Sequence, residues 1–161
     1  MRDYTLINGD LLEADVTFIC HQVNCQGKMN SGVAKAIRNK WNKVYDLYSE
    51  YCSVNDSSKI LGNIQIVGIN NSMHQHRADW KEPSYCINMF AQEYYGYDGK
   101  QYTSLEAFKK CLEKINYNCA GRSVAFPWMI GCVRGGADWN KVLPMIRETL
   151  KDVSEIYFYK L

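Results

Sequence analysis

The alternation of apolar and polar residues along the chain predicts short strands separated by amphipathic helices. Two strand-like segments open the sequence, Tyr4 to Ile7 and Val16 to Val23, and the turn residues Asn8-Gly9-Asp10 separate them. The second segment is apolar along most of its length, as is typical of a strand buried on both faces. A helical pattern begins at Ser31 and a second short one follows, so the local order is strand, glycine-rich turn and helix.

Two later helices are also predicted. Thr103 and Glu106 have the spacing of a capping box and precede the most regular helical pattern in the chain. The apolar positions of that pattern recur at steps of three and four: Leu105, Phe108, Leu112, Ile115 and Cys119. Asp138 is placed to cap the last helix, whose pattern Pro144 interrupts. Because proline lacks the amide of an interior helical position, Pro144 predicts either a kink or a helix that starts there.

Four further apolar segments complete a pattern of six strands. They are Asn63 to Ile69, Tyr85 to Phe90, Ser123 to Phe126 and Glu155 to Tyr159. Between the first two, Asn70 to Pro83 is polar, contains His74 and His76, and predicts a mobile connection. Strands that alternate with helices predict an α/β layered fold whose mostly parallel sheet is covered on both faces.

Composition narrows the class of protein. With 161 residues, 47% of them apolar, the chain has the size of one domain, and we expect residues 1–161 to form it. A net charge of +2 makes nucleic acid the least expected partner. Seven cysteines, several of them in apolar segments and without a C-x-x-C pair, are typical of reduced core thiols, so we expect neither disulfides nor a metal site. No apolar leader or long apolar span is present, which predicts a cytoplasmic protein without membrane contact.

Two loops that directly follow predicted strands carry the candidate chemistry. The first runs from Asn24 to Ala34 and the second from Ile130 to Asp138. In open α/β sheets, ligands bind beyond the carboxyl ends of the strands. Glycines let the backbone approach a ligand and helix N-termini offer amide donors, so the two loops together predict a site that clasps a diphosphate. Neither loop is a Walker A or a G-x-G-x-x-G motif, and each alone could be a plain tight turn.

The same segments resemble those of the macro domains, a family that binds ADP-ribose. The resemblance runs through Asn8 to Leu12, Val23 to Gly27, Ser31 to Ala34 and Ile130 to Trp139, and it extends to the final segment, Glu155 to Leu161. Within the family, the chain resembles small bacterial and phage proteins that process ADP-ribose 1''-phosphate and are related to terminal ADP-ribose protein glycohydrolase. The resemblance implies a three-layer α/β/α fold with a central mixed, mostly parallel sheet of about six strands.

The resemblance also implies which residues bind the ligand. Asp10 would accept a hydrogen bond from the adenine amino group beside the Leu11 amide, although an aspartate in this turn could simply cap it. Asn24 and Gln26 would contact the distal ribose, although the amide of Gln26 could instead bond to loop backbone. The other implied ligand-binding residues lie in the two loops and after the fourth strand: Ser31, Gly32, Val33, Gln92, Gly131, Cys132, Val133, Arg134 and Gly135.

Three positions depart from what the family shows. The glycohydrolase branch uses a lysine nucleophile assisted by an aspartate, and Gln92 and Gly135 stand at those positions here. An amide cannot form the covalent intermediate that an amine can, which disfavours that mechanism. Arg134 stands where the relatives commonly have an apolar residue, and it either covers the phosphates or points into solvent.

Hydrolysis and simple binding are the two main interpretations of the site. In the first, Asn24 or Gln26 holds a water that attacks a group on the distal ribose, such as the 1''-phosphate or an ester-linked acyl or ADP-ribosyl group. His21 is a third catalytic candidate, as a proton-transfer group, although a histidine within a strand is more often a core residue. Cys25 and Cys132 flank the site, but no spacing places a base beside either thiol.

In the second interpretation, the chain recognises ADP-ribose without turning it over. A third hypothesis, an interaction domain that uses the twelve tyrosines, is the weakest because the charge is balanced. We favour a hydrolase that acts on ADP-ribose derivatives, needs no cofactor and is a monomer. An ADP-ribosylated protein is a further candidate partner.

Overall fold

Six strands and five helices alternate along the chain in the computed structural model, which describes residues 1–69, 82–96, 98 and 100–161. The strands are β1 (Thr5–Asn8), β2 (Phe18–Asn24), β3 (Ile64–Gly68), β4 (Tyr85–Gln92), β5 (Ser123–Pro127) and β6 (Glu155–Lys160). The helices are α1 (Gly32–Lys40), α2 (Asn42–Val54), α3 (Ser57–Ile60), α4 (Leu105–Asn118) and α5 (Trp139–Thr149). The six predicted strands are confirmed, with ends that differ by one or two residues; α3 was not predicted.

The strands form one sheet in the order β1-β6-β5-β2-β4-β3. Each neighbouring pair is parallel except β3 and β4, which are antiparallel. In β2, Phe18 aligns with Val124 of β5 on one side and with Tyr85 of β4 on the other. The carboxyl ends of these three central strands therefore meet at one edge of the sheet, where the loops that follow β2 and β5 begin.

Helices cover both faces of the sheet, and side chains alternate along β2 to serve two separate cores. Ile19 and Val23 pack on one face with residues of α1, α2 and α3, whereas Cys20 packs on the other with residues of α4 and α5. This alternation follows from the two-residue period of a strand. The predicted three-layer α/β/α architecture with a mixed, mostly parallel sheet is confirmed.

The first and last strands tie the two ends of the described fold together. β1 lies at the sheet edge and pairs with β6, with Thr5 opposite Tyr157. The guanidinium of Arg2 donates hydrogen bonds to the carbonyl oxygens of Leu150 and Val153, at 2.9 and 2.8 Å. These contacts fasten the segment before β1 to the turn before β6.

The start of α4 differs from the prediction. Ser104, and not Thr103, caps this helix. Its Oγ accepts a hydrogen bond from the Ala107 amide at 3.1 Å. Thr103 instead pairs with Gln92 in an isolated antiparallel bridge. Its hydroxyl is therefore available to the candidate site described below.

Helix α5 contains Pro144 in its interior. The helix begins at Trp139, and the Oδ1 of Asp138 accepts a hydrogen bond from the Asn140 amide at 2.9 Å, which confirms the predicted cap. A helix that starts at Pro144 is therefore wrong. Burial of Val142 and Ile146 against the sheet offsets the loss of the backbone hydrogen bond that proline cannot donate.

Most of the polar segment predicted to be a mobile connection, together with His74 and His76, lies outside the described residues. Among the helices that are described, none has the length and apolar character needed to cross a bilayer. All seven cysteines are described, and each carries a free thiol.

Candidate functional site

A cleft of about 310 Å³ opens at the edge of the sheet where β2, β4 and β5 end. The loop that leads into α1 lines one side of it, and the loop that follows β5 lines the other. Clefts of roughly 300–1,000 Å³ are the usual size for sites that take small ligands. The position of the cleft is the one that the two glycine-containing loops predict.

The amide of Asn24 organises the first loop. Its Oδ1 accepts hydrogen bonds from the Gln26 amide at 3.0 Å and from the Lys28 amide at 3.3 Å, and it shares the Tyr48 hydroxyl proton, at 2.8 Å, with the Asn24 carbonyl oxygen, at 2.7 Å. Its Nδ2 donates to the Lys28 carbonyl at 2.9 Å. Since two backbone amides already occupy the two lone pairs of Oδ1, only the second Nδ2 proton is left to contact a ligand.

Gln26 does not line the cleft. Its side chain is exposed, and its Oε1 accepts a hydrogen bond from the Tyr95 amide at 3.1 Å. This contact joins the first loop to the segment after β4, and Tyr95 itself does line the cleft. The structure thus gives Gln26 the loop-bracing position that the sequence left open as an alternative to a ribose contact.

Thr103 fastens both ends of the second loop. Its hydroxyl donates to the Gly131 carbonyl at 2.8 Å, and its amide donates to the Gly135 carbonyl at 3.0 Å. Gln22 of β2 joins this network, because its Nε2 donates to Thr103 Oγ1 and to Gln92 Oε1, both at 2.7 Å. The central strand therefore sets the position of the loop that follows β5.

The side chain of Gln92 is held on both sides. Its Oε1 accepts the bond from Gln22, and its Nε2 donates to the Tyr94 carbonyl at 2.8 Å. Gln92 lines the cleft. An amide anchored in this way is a fixed part of the cleft wall and cannot serve as a nucleophile.

Arg134 reaches from the second loop toward the first. Its Nε lies 3.9 Å from the point where a Cβ on Gly32 would be, and both residues line the cleft. Arg134 is exposed and also lines the cleft, so its position is compatible with both interpretations that the sequence left open. Among the described lining residues, Arg134 and Lys28 carry positive charge.

His21 is a buried residue of the candidate site. The residue is 1% exposed and lines the cleft, and its Nε2 lies 2.5 Å from Asn88 Oδ1. Burial lowers the pKa of His21 to about 4, although the hydrogen bond to Asn88 acts in the opposite direction. The imidazole is therefore neutral at pH 7.

The cysteine thiols beside the loops are poor nucleophiles. Burial raises the pKa of the Cys25 thiol to about 12 and that of Cys132 to about 11. Neither residue lines the cleft. Because the thiolate is the reactive form, both cysteines stay protonated and unreactive near neutral pH.

Asp10 caps the short 3-10 turn at residues 11–13. Its Oδ1 accepts a hydrogen bond from the Leu12 amide at 2.9 Å. The predicted ligand-binding residues Asp10 and Leu11 lie outside the lining of the cleft, as do Gln26 and Cys132. The other residues expected to bind the ligand, from Asn24 and Ser31 through to Gly135, line it.

Three residues that hold cleft residues in place through hydrogen bonds were not identified from the sequence. Gln22 and Asn88 are polar residues within otherwise apolar strands, and that contrast is a signal that could have found them. Thr103 gave no such signal, because its spacing from Glu106 is that of an ordinary helix cap.

Two curated relatives are similar to this chain. A DNA ADP-ribosyl glycohydrolase of Thermus aquaticus is 26% identical over 156 residues, which cover 96% of this chain and 40% of the relative. An ADP-ribose 1''-phosphate phosphatase of Scheffersomyces stipitis is 30% identical over 96 residues, which cover 55% of each. The chain spans only part of the length of both relatives.

A solved structure shows the same fold. Thermosipho africanus DarTG in complex with ADP-ribose matches with a TM-score of 0.76 at 19% identity, over 97% of this chain and 41% of that one. The model of the macro domain family matches residues 20–146, a range that takes in most of β2, both loops and most of α5. The chain therefore belongs to the macro domain family.

Proposed function

We propose that this chain binds ADP-ribose in the cleft and hydrolyses a group attached to its distal ribose. The observation that carries the proposal is the pair of loops after β2 and β5, which face each other across one cleft. Their backbone amides and the side chains of Lys28 and Arg134 suit a diphosphate. The ADP-ribose bound to the Thermosipho africanus protein and the names of the two curated relatives support the same ligand class.

The chemistry depends on positioning a water rather than on a protein nucleophile. Among the cleft residues that the structure describes, none carries a carboxylate. The side chain of Gln92 is anchored and Asn24 has one proton to offer, so neither residue can act as a base. Catalysis then rests on orientation and on amide donors around the phosphates, and we expect slow turnover.

Calorimetric titration with ADP-ribose, followed by product assays on the same sample, tests the proposal. The substrates are ADP-ribose 1''-phosphate, with phosphate release as the readout, and ADP-ribosylated DNA and protein, with release of ADP-ribose. Binding together with release from one of them supports a hydrolase and identifies its leaving group. Failure of the wild-type chain to bind ADP-ribose would overturn the proposal.

A binding module without catalysis is the second candidate function. The observation that favours it is the internal use of the two amides expected to hold the water, since Asn24 and Gln26 bond to loop backbone. Binding of ADP-ribose without release from any of the three substrates would support this function. Replacing Gln26 by alanine would then change affinity only slightly.

Replacing Asp10 separates its capping role from the proposed contact with adenine. Asp10→Ala removes the acceptor for the Leu12 amide, so we expect a loss of about 1 kcal/mol in the free energy of unfolding together with weaker ADP-ribose binding. Asp10→Asn keeps an acceptor and should restore stability but not affinity. Urea unfolding and calorimetry on both variants make the measurement, and unchanged affinity in both would remove Asp10 from the adenine site.

A further inference from the structure

A chain of side-chain amides leads from a backbone carbonyl to His21 and has a fixed direction. Gln65 lies 3.1 Å from the Leu47 carbonyl oxygen, which can only accept, so Gln65 donates there through Nε2. The Oε1 of Gln65 then accepts from Asn88 Nδ2 at 2.9 Å. This leaves Asn88 Oδ1 as the atom that faces His21 Nε2.

The direction of this chain sets the tautomer of His21. Because Asn88 Oδ1 is an acceptor, Nε2 of the imidazole must carry the proton that it donates. A neutral imidazole has one N–H, so Nδ1 keeps its lone pair and can only accept a hydrogen bond. Burial keeps the ring neutral, since it lowers the pKa of His21 to about 4.

Nδ1 is an acceptor without a partner. The atom is buried and makes no hydrogen bond to any residue that the structure describes. Most buried polar side-chain atoms are hydrogen-bonded, so an unpartnered lone pair at Nδ1 needs an explanation. His21 also lines the cleft, on the same strand that carries Asn24.

We propose that His21 is a ligand-binding residue of the cleft, held as the Nε2–H tautomer so that Nδ1 accepts a hydrogen bond from a hydroxyl donor. The donor is a hydroxyl of the bound nucleotide sugar or a water bound with it. Asn88 and Gln65 are positioning residues, because they touch His21 or each other and act through its tautomer. The inference rests on the proposed function and adds a specific contact to it.

Nitrogen NMR of the imidazole tests the tautomer first. The chain contains three histidines, so a ¹⁵N-histidine-labelled double variant, His74→Gln with His76→Gln, leaves the signals of His21 alone. At pH 7 we expect one protonated nitrogen, Nε2, and one unprotonated nitrogen, Nδ1. An Nδ1–H tautomer or an imidazolium at this pH would overturn the inference.

Addition of ADP-ribose to the same sample tests the contact. Acceptance of a hydrogen bond should move the Nδ1 resonance toward lower frequency and leave Nε2 nearly unchanged. If ADP-ribose binds and Nδ1 does not respond, the contact is absent and the inference fails while the proposed function stands. If the wild-type chain and the double variant both fail to bind ADP-ribose, the proposed function fails, and the contact fails with it.

Two variants give an independent measurement. His21→Phe keeps a ring but removes the acceptor, and we expect the Kd for ADP-ribose to rise about threefold to tenfold, as for the loss of one hydrogen bond. Ile19→Val is the matched control, because Ile19 is buried on the same face of β2 and does not line the cleft. It should lower the melting temperature without changing Kd.

A rate measurement distinguishes the two donors. If Nδ1 holds a sugar hydroxyl, the His21→Phe change appears in the Kd for ADP-ribose. If it holds the attacking water, kcat falls for the substrate that the product assays identify while KM stays the same. Both results support the inference, whereas unchanged Kd, KM and kcat together would overturn it.

Discussion

Replacing Gly135 by alanine should weaken ADP-ribose binding roughly 30- to 150-fold. This change corresponds to about 2–3 kcal/mol, the upper part of the usual free-energy cost of overpacking. A Cβ at this position would overlap the Thr103 hydroxyl and lie 2.5 Å from the Gly131 carbonyl oxygen. Both atoms belong to the network that closes the second loop, and one of them is backbone, which cannot rotate away. The loop would have to open at the point where Gln22 and Thr103 fasten it.

The matched control for this change is Gly68→Ala, in β3. The nearest atom to a Cβ there is a ring carbon of Tyr85 at 3.8 Å, an ordinary contact distance. Calorimetry with ADP-ribose and thermal unfolding of both variants make the comparison. Wild-type affinity in a folded Gly135→Ala protein would show that the closed form of the second loop is not needed for binding.

Lowering the pH should reduce the free energy of unfolding by up to about 3 kcal/mol through protonation of His21. This value is the pKa difference of about 2.5 multiplied by about 1.4 kcal/mol per pKa unit. The pKa of His21 is about 4 in the folded chain and about 6.5 when the residue is exposed by unfolding. Between these values the unfolded chain binds a proton that the folded chain does not. The contribution of His21 to the free energy of unfolding is therefore fully present above pH 6.5 and is lost as the pH falls toward 4.

Urea unfolding at several pH values between 7.5 and 4 measures this effect. Carboxylates also titrate in the lower part of this range, so the useful quantity is the difference between the wild type and His21→Phe, in which their contributions cancel. That difference should change by about 3 kcal/mol over the window. Parallel curves for the two proteins would mean that His21 is protonated as easily in the folded chain as in the unfolded one.

The fold could be predicted from the sequence because periodicity and resemblance pointed to the same architecture. Strand β2 shows why: its apolar run, followed by a polar loop and a helix, is a pattern that the parallel α/β arrangement explains simply. The ends of the helices are harder to predict than the strands. Ser104 and Thr103 are both good caps by residue type, and only the bridge between Thr103 and Gln92 decides between them.

The candidate site could be predicted in outline but not in its hydrogen bonding. The resemblance to the macro domains implies that the side chains of Asn24 and Gln26 point at a ligand. Which way an amide points depends on partners distant in sequence, such as Tyr48 for Asn24 and Tyr95 for Gln26. The orientation of His21 depends likewise on Asn88 and Gln65, which no local pattern connects to it.

The pairing of β1 with β6 has a consequence for how the chain is made. During synthesis β1 emerges before the other five strands of the described sheet, whereas its partner β6 emerges after them. Pairing between strands this far apart in the sequence is slow, so β1 stays unpaired and exposed while the strands between them form. Ribosome-bound chains that stop before residue 155 should therefore hold β1 loose, and addition of β6 should lock both ends in one cooperative step.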